Sequence, residues 1–351
     1  MTRDVASFDR IYSTPKFSEM VRMIDEQPIY YKKGVELGRK IEKEKIECPP
    51  RTVYFYGLGG SGIVGQFFSV VFTSYTKVPI IASNSVKIPE WLGPDDLLIV
   101  ISYSGETFEA LRAFSEAYRK GVRIVAMASG GSLAEMARKN GVQLIELNKG
   151  FPPRMSLPEM VGAAASLLDN IEVTRDAAKA LLGSAEMLIE VVRENNPNNP
   201  YDNNMAKKAA LHLHGSIPGV FCSGHLYVSG IRLKNQLNEN AKYPCIVHEI
   251  PESMHNTLEA LPYSERDKYI LFRSSNETVD VSTQMKFIES IFGDGSMEVW
   301  FKGSIIYEAI ASIMWSDYVS IYLAALREVD PITVARIAAL RKELEKSLKK
   351  T

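Results

Sequence analysis

The sequence predicts an α/β protein: two doubly wound parallel sheets in tandem, preceded by an N-terminal helical segment. Three observations carry this reading. Short β-branched and aromatic runs alternate with helical stretches, the pattern of strands joined by crossover helices. Leu97–Ile101 (LLIVI) is continuously apolar, as a strand buried on both faces must be. The alternation stops at the Asn/Pro-rich stretch ENNPNNPYDNN (194–204), which offers turn chemistry but no core, and then resumes. The chain therefore divides into a helical segment (1–45), a first α/β domain with trailing helices (46–195) and a second with C-terminal helices (205–351).

Each element follows from its residues. The first ~50 positions are helical and mixed polar, and YYKKGVELGRKIEKEKI carries the i, i+4 charges of a solvated helix. Strands are expected at Thr52–Tyr56, Val78–Ala82, Leu97–Ile101, Arg123–Ala128 and Val142–Leu147. The helices between them are Ile63–Phe72, Phe108–Lys120 and Leu133–Asn140, the last two closed by Gly121 and Gly141. FPPRMSLPEM (151–160) reads as a proline-punctuated loop leading into helix as far as about Glu194. In the second half, strands at Gly219–Cys222, Cys245–Ile250, Tyr269–Phe272 and Met297–Phe301 alternate with helices at His225–Leu237, Val281–Phe292 and Ile305–Leu326. A basic helical tail begins at Ile332.

Composition excludes several classes. The 351 residues carry 41 Lys+Arg against 42 Asp+Glu, so no global field attracts nucleic acid. Three cysteines (Cys48, Cys222, Cys245) are too few for a disulfide scaffold and fit no zinc spacing, which points to a reducing, cytoplasmic setting. MTRDVASFDR lacks the apolar region of a signal peptide, and Glu308 and Asp317 interrupt the apolar run at Ile305–Leu326, so no membrane span is expected. His212 and His214 lie about 200° apart on a helix and cannot grip one metal. Trp315, Tyr318 and Tyr322 recur at near-helical spacing, as core or a dimer interface would.

Two loops stand out. Gly57-Leu58-Gly59-Gly60-Ser61-Gly62 leaves a strand and opens a helix, which is either a tight turn or an anion cradle with free N–H groups at the helix start. It matches G-x-G-x-x-G, but no acid occurs from Val78 to Lys87 where a dinucleotide ribose would need one, and no Gly-Lys-Ser/Thr follows for a nucleotide P-loop. Ser102-Tyr103-Ser104-Gly105-Glu106-Thr107 follows LLIVI. Helix capping by Ser104 or Thr107 needs only one hydroxyl; three hydroxyls and a glycine at a strand's carboxyl end suit a phosphate.

Together with Phe151-Pro152-Pro153-Arg154, NENAK (238–242) and MHN (254–256), these loops make the chain resemble the bifunctional phosphoglucose/phosphomannose isomerase family of the sugar isomerase (SIS) superfamily, over nearly its whole length from about residue 50. The resemblance implies two paired SIS domains, a homodimer, sugar 6-phosphate substrates and no metal or redox cofactor. It implies a phosphate held by Gly60, Ser61, Ser102, Ser104 and Thr107, and a catalytic base at Glu239, which by itself would read as a solvated helix end. It implies that His255, suited to proton transfer near neutral pH, opens the sugar ring from the partner subunit, and that Arg154 faces the developing enediolate. The family's lysine on the C-terminal helix falls on Arg341, with Lys342 adjacent, so a proton donor is replaced by an oxygen-binding group. Thr333 is the nearest match to a threonine that accommodates the mannose configuration. Two rivals remain at this level: a non-catalytic sugar-phosphate regulator on the same fold, and an NAD-dependent oxidoreductase.

Overall fold

The computed structural model describes Phe8, residues 14–42, Ile46 and residues 49–348. Cys48, nearly all of the leading MTRDVASFDR stretch, Lys43–Lys45 of the expected N-terminal helix and the last basic residues of the tail lie outside them.

Two helices come first, α1 (Pro15–Asp25) and α2 (Gln27–Gly38), each with a proline in its first turn, where the missing N–H breaks no intrahelical bond. The α2 stretch differs from the solvated helix expected from its charges. Lys32, Lys33 and Glu36 do face outward, but Tyr30, Tyr31, Gly34, Val35 and Gly38 are buried. The two tyrosines supply enough apolar surface to turn one face inward.

The first sheet contains β1 (Val53–Tyr56), β2 (Ile80–Ser83), β3 (Leu97–Ile101), β4 (Arg123–Ala128) and β5 (Gln143–Glu146), with helices α3 (Gly60–Val71), α4 (Phe108–Arg119) and α5 (Gly131–Lys139) between them. All neighbours are parallel, in the order β2-β1-β3-β4-β5. LLIVI forms the central β3, and its period-2 geometry divides it between two cores: Leu97, Ile99 and Ile101 face the large one, Leu98 and Val100 the smaller.

After β5 the proline-rich stretch is shorter than its composition suggests. One tight turn (Pro153–Ser156) leads directly into α6 (Leu157–Asn170), because Pro158 sits in the helix's first turn. Helices α7 (Ala177–Glu186) and α8 (Leu188–Asn195) follow. The Asn/Pro-rich stretch ends with Asn204 capping α9 (Met205–Leu213) by accepting a hydrogen bond from Lys207 N at 2.9 Å.

The second sheet repeats the first with one strand fewer. It contains β6 (Ile217–Ser223), β7 (Ile246–Ile250), β8 (Asp267–Ser274) and β9 (Ser296–Phe301), parallel and in the order β7-β6-β8-β9. Helix α10 (Tyr227–Glu239) follows β6 and α11 (Val279–Phe292) follows β8. The long α12 (Ile305–Leu326) is apolar all round and packs against α1, α7, α8, α9 and α10. Among the described residues it is the one helix long and apolar enough to cross a membrane, and all of it but Ile305 and Tyr307 is buried inside the protein. Trp315, Tyr318 and Tyr322 belong to this core. The final helix α13 (Ala335–Leu348) exposes all of its described side chains.

Candidate active site

Strand order decides where loops meet. In each sheet the chain reverses its winding direction between the first two strands and the rest, and ligands of open α/β sheets bind beyond the strand ends at that point. In the first sheet this places the glycine loop after β1 beside the hydroxyl loop after β3. Ser61 Oγ accepts from Tyr103 N at 3.4 Å. A Cβ added to Gly60 would lie 3.1 Å from the Arg154 Cα, so the glycine lets the loop rest against the arginine's backbone. Gly105, at φ +73°, is pressed still closer: its Cβ would come within 1.9 Å of the Gly130 carbonyl oxygen. That contact brings in a third loop, where Ser132 N and Oγ donate to the Glu106 carboxylate at 2.8 and 2.9 Å.

The three hydroxyls of the second loop are not used as helix caps. Thr107 occupies the cap position of α4, but its side chain makes no cap bond. Ser102 Oγ donates to Thr107 Oγ1 at 2.9 Å, and Ser104 Oγ accepts from Glu106 N at 3.3 Å. Tyr103 ties the loop to the next one, donating through its OH to the Asn148 carbonyl at 2.8 Å and accepting from Phe151 N at 3.0 Å. It thereby fixes the start of the Phe151–Arg154 stretch.

Arg154 is 3% exposed. Its Nε donates to Asn240 Oδ1 at 2.6 Å, and Nη2 donates to the Pro331 and Ile332 carbonyls at 2.7 and 3.0 Å. Only Nη1 faces a charge, Glu239 Oε2 at 3.4 Å. Burial pushes this guanidinium down from its ordinary value, and Glu239 opposes the shift. Glu239 is the last residue of α10, and its side chain is 24% exposed, so the carboxylate stands at the mouth of the site with one side open. The structure thus brings Gly60, Arg154 and Glu239 together, and places Ser61 against the loop carrying Ser102, Ser104 and Thr107.

It does not bring in the remaining candidates from the same chain. His255 is exposed in a turn (Glu252–His255) after β7 and, among the described residues, bonds to neither Arg154 nor Glu239. Arg341 and Lys342 are exposed on α13. Thr333 is nearer, donating through Oγ1 to Asp330 Oδ2 at 2.6 Å. Among the described residues no group of three His, Cys, Asp or Glu side chains is placed to hold a metal ion.

Three positioning elements were not found from the sequence. Asn240, the neighbour of Glu239, orients Arg154 and donates to Ser320 Oγ at 2.9 Å. Asp330 accepts from Ile332 N at 2.8 Å and Thr333 N at 3.3 Å, a turn that aims the two carbonyls at Arg154. Burial raises the Asp330 carboxyl, but bonds from Lys16 and Thr333 outweigh it and hold it well below the usual carboxylate range. The Asp-Pro-x-Thr string was a readable turn signal. Lys242, in the left-handed region at φ +53°, donates to the carbonyls of Glu239 and Asp330 and so links the end of α10 to this turn.

Beneath the arginine lies a second one. Arg232 and Asp317, 1% and 0% exposed, pair through two bonds of 2.7 and 2.9 Å, and Arg232 Nη1 donates to the Arg154 carbonyl at 2.8 Å. Gln236 and Gln27 complete the Asp317 shell at 2.7 and 2.6 Å.

Comparison with known proteins identifies the family. Residues 46–155 match the SIS domain model, and residues 202–344 match the model described as bacterial phospho-glucose isomerase C-terminal SIS domain. The chain is 30% identical over 311 residues to a bifunctional phosphoglucose/phosphomannose isomerase of Aquifex aeolicus, covering 85% of this chain and 92% of that one. It is 27% identical over 337 residues to the like-named protein of Caldicellulosiruptor bescii, covering 93% and 98%. In fold it is similar to the C-terminal domain of glucosamine-fructose-6-phosphate aminotransferase from Francisella tularensis, with TM-score 0.70, 14% identity and coverage of 90% and 98%. Identity of 30% over 92% of a bifunctional phosphoglucose/phosphomannose isomerase, with both SIS models matched in order, places this chain in the bifunctional phosphoglucose/phosphomannose isomerase family, a family of sugar-phosphate isomerases.

Proposed function

We propose that the protein interconverts glucose 6-phosphate, and mannose 6-phosphate, with fructose 6-phosphate through an enediolate. One observation carries this reading: an open-sided carboxylate, Glu239, faces a buried guanidinium held almost entirely by neutral partners, next to two donor-rich loops. Gly60, Ser61, Ser102, Ser104 and Thr107 bind the phosphate through N–H and hydroxyl groups. Glu239 takes the proton from C2 of the aldose and returns it to C1, giving the ketose; the reverse reaction takes it from C1. Arg154 stabilises the oxygen charge that exists only in the enediolate and the transition states flanking it.

Ring opening needs a further proton donor. The exposed position of His255 suits delivery to the site of a second copy, so the active unit is a homodimer with shared sites. Arg341, on a helix whose described side chains are all exposed, contacts sugar oxygens in the dimer, in the place of the family's lysine.

A coupled assay with EDTA present tests this. Wild type turns over fructose 6-phosphate, and in D2O deuterium enters the transferred position. Glu239→Gln loses ~10²–10⁴-fold in kcat, the usual worth of a general base. A variant retaining more than about a tenth of wild-type turnover removes Glu239 from that role. Binding of fructose 6-phosphate with no exchange in wild type would favour the regulator instead.

A further inference from the structure

The second sheet has its own pair of loops at the equivalent strand ends. Ser223-Gly224-His225 leaves β6, and Ser274-Ser275-Asn276-Glu277-Thr278 leaves β8 and enters α11 with Thr278 in the cap position. They correspond in topology to the glycine and hydroxyl loops of the first sheet. In the first sheet, among the described residues, no buried carboxylate accepts from these two loops; the buried Glu159 accepts instead from Asn148, in the loop after β5. In the second, the donors converge on one carboxylate. Glu308, on α12 and 0% exposed, accepts at Oε1 from Ser275 N at 3.0 Å, from Ser275 Oγ at 2.5 Å and from Gly303 N at 3.2 Å. Its Oε2 accepts from Ser274 Oγ and lies 2.7 Å from His225 Nε2.

No lysine or arginine ion-pairs with Glu308 among the described residues; its partners are main-chain N–H groups, hydroxyls, the Asn276 amide and an imidazole. That donor set would serve a bound oxyanion equally well. These bonds hold the Glu308 carboxyl well below the usual range even though burial opposes them. The cluster does not have the geometry of a nucleophilic relay. Ser274 and His225 approach the same carboxylate oxygen, whereas a relay places the imidazole between the hydroxyl and the acid, using both ring nitrogens.

We propose that Glu308 is a resident anion: its carboxylate fills an oxyanion cradle of the second sheet, and shortening the side chain turns that cradle into a site for a small oxyanion such as phosphate or acetate. The wild-type chain is thereby left with a single sugar-phosphate site, in the first sheet; this last clause alone rests on the functional reading above.

The test is thermal unfolding of full-length wild type and Glu308→Ala in chloride, acetate and inorganic phosphate at matched ionic strength. The variant is expected to melt lower in chloride and to regain roughly 4 °C, beyond any wild-type response, at ~100-fold excess of acetate or phosphate over its Kd. Equal responses of variant and wild type overturn the proposal. Should the variant not fold, a wild-type crystal soaked in sulfate decides. Glu308 in place and no sulfate on Ser274, Ser275 or His225 supports it; sulfate there with Glu308 swung out overturns it. If the isomerase reading fails, wild type binds no phosphate in the first sheet, but the difference between variant and wild type stands.

Discussion

Two buried arginines, both within one hydrogen-bonded network, are treated in opposite ways. Arg232 is matched by a bidentate carboxylate, Asp317, itself bonded by two glutamines, so its charge is cancelled where it stands. Arg154 is fixed as firmly, but by an amide and two carbonyls, and its one carboxylate neighbour is 3.4 Å away and partly solvated. Neutral acceptors hold a guanidinium in place without cancelling its field. The difference teaches how a fold can make one ion pair a structural tie and leave the other able to answer charge that develops in a ligand. The two are connected, because Arg232 donates to the Arg154 carbonyl.

The comparison can be broken at its tight end first. Asp317→Asn leaves Arg232 buried without a counter-charge, and a loss of about 3–5 kcal/mol in urea unfolding is expected. A loss below about 1 kcal/mol would show that the neutral partners suffice for Arg232 as well. Next comes the loose end. Asn240→Ala removes the Nε acceptor of Arg154, a bond to a charged group worth about 1.5–3 kcal/mol. We expect kcat to fall roughly 10–100-fold with KM for fructose 6-phosphate changing much less, since the phosphate loops are untouched. A change in KM alone would assign Asn240 to substrate binding and not to the arginine's placement. The smallest effect is at the surface pair Arg138–Glu146, 53% and 54% exposed, where Glu146→Ala should shift stability by less than ~1 kcal/mol and leave turnover unchanged.

Much of the fold was legible because its signals are local. LLIVI needs no partner to be read as a buried strand, and Gly121 and Gly141 mark helix ends by their own backbone freedom. The burial of α2 was misread because its charges are visible in sequence, whereas the surface covering Tyr30 and Tyr31 is not. At the site, the two loops were legible as patterns, while Arg154 and Glu239 were singled out by family resemblance. Their pairing, 85 residues apart in the chain, is a fact of the fold. Glu308 shows the same limit. In sequence it is an acid interrupting an apolar helix; in space it is the acceptor for donors from three other segments.

The sequence by itself determined the alternation of strands and helices, the position of the loops at strand ends and the chemistry available in them, since these depend on dihedral preference and on apolar periodicity between neighbours. Only the tertiary structure decided which charges are cancelled and which are left free. Coulomb attraction and the cost of desolvation depend on distance and burial, and both are set by residues that the chain keeps far apart until it folds.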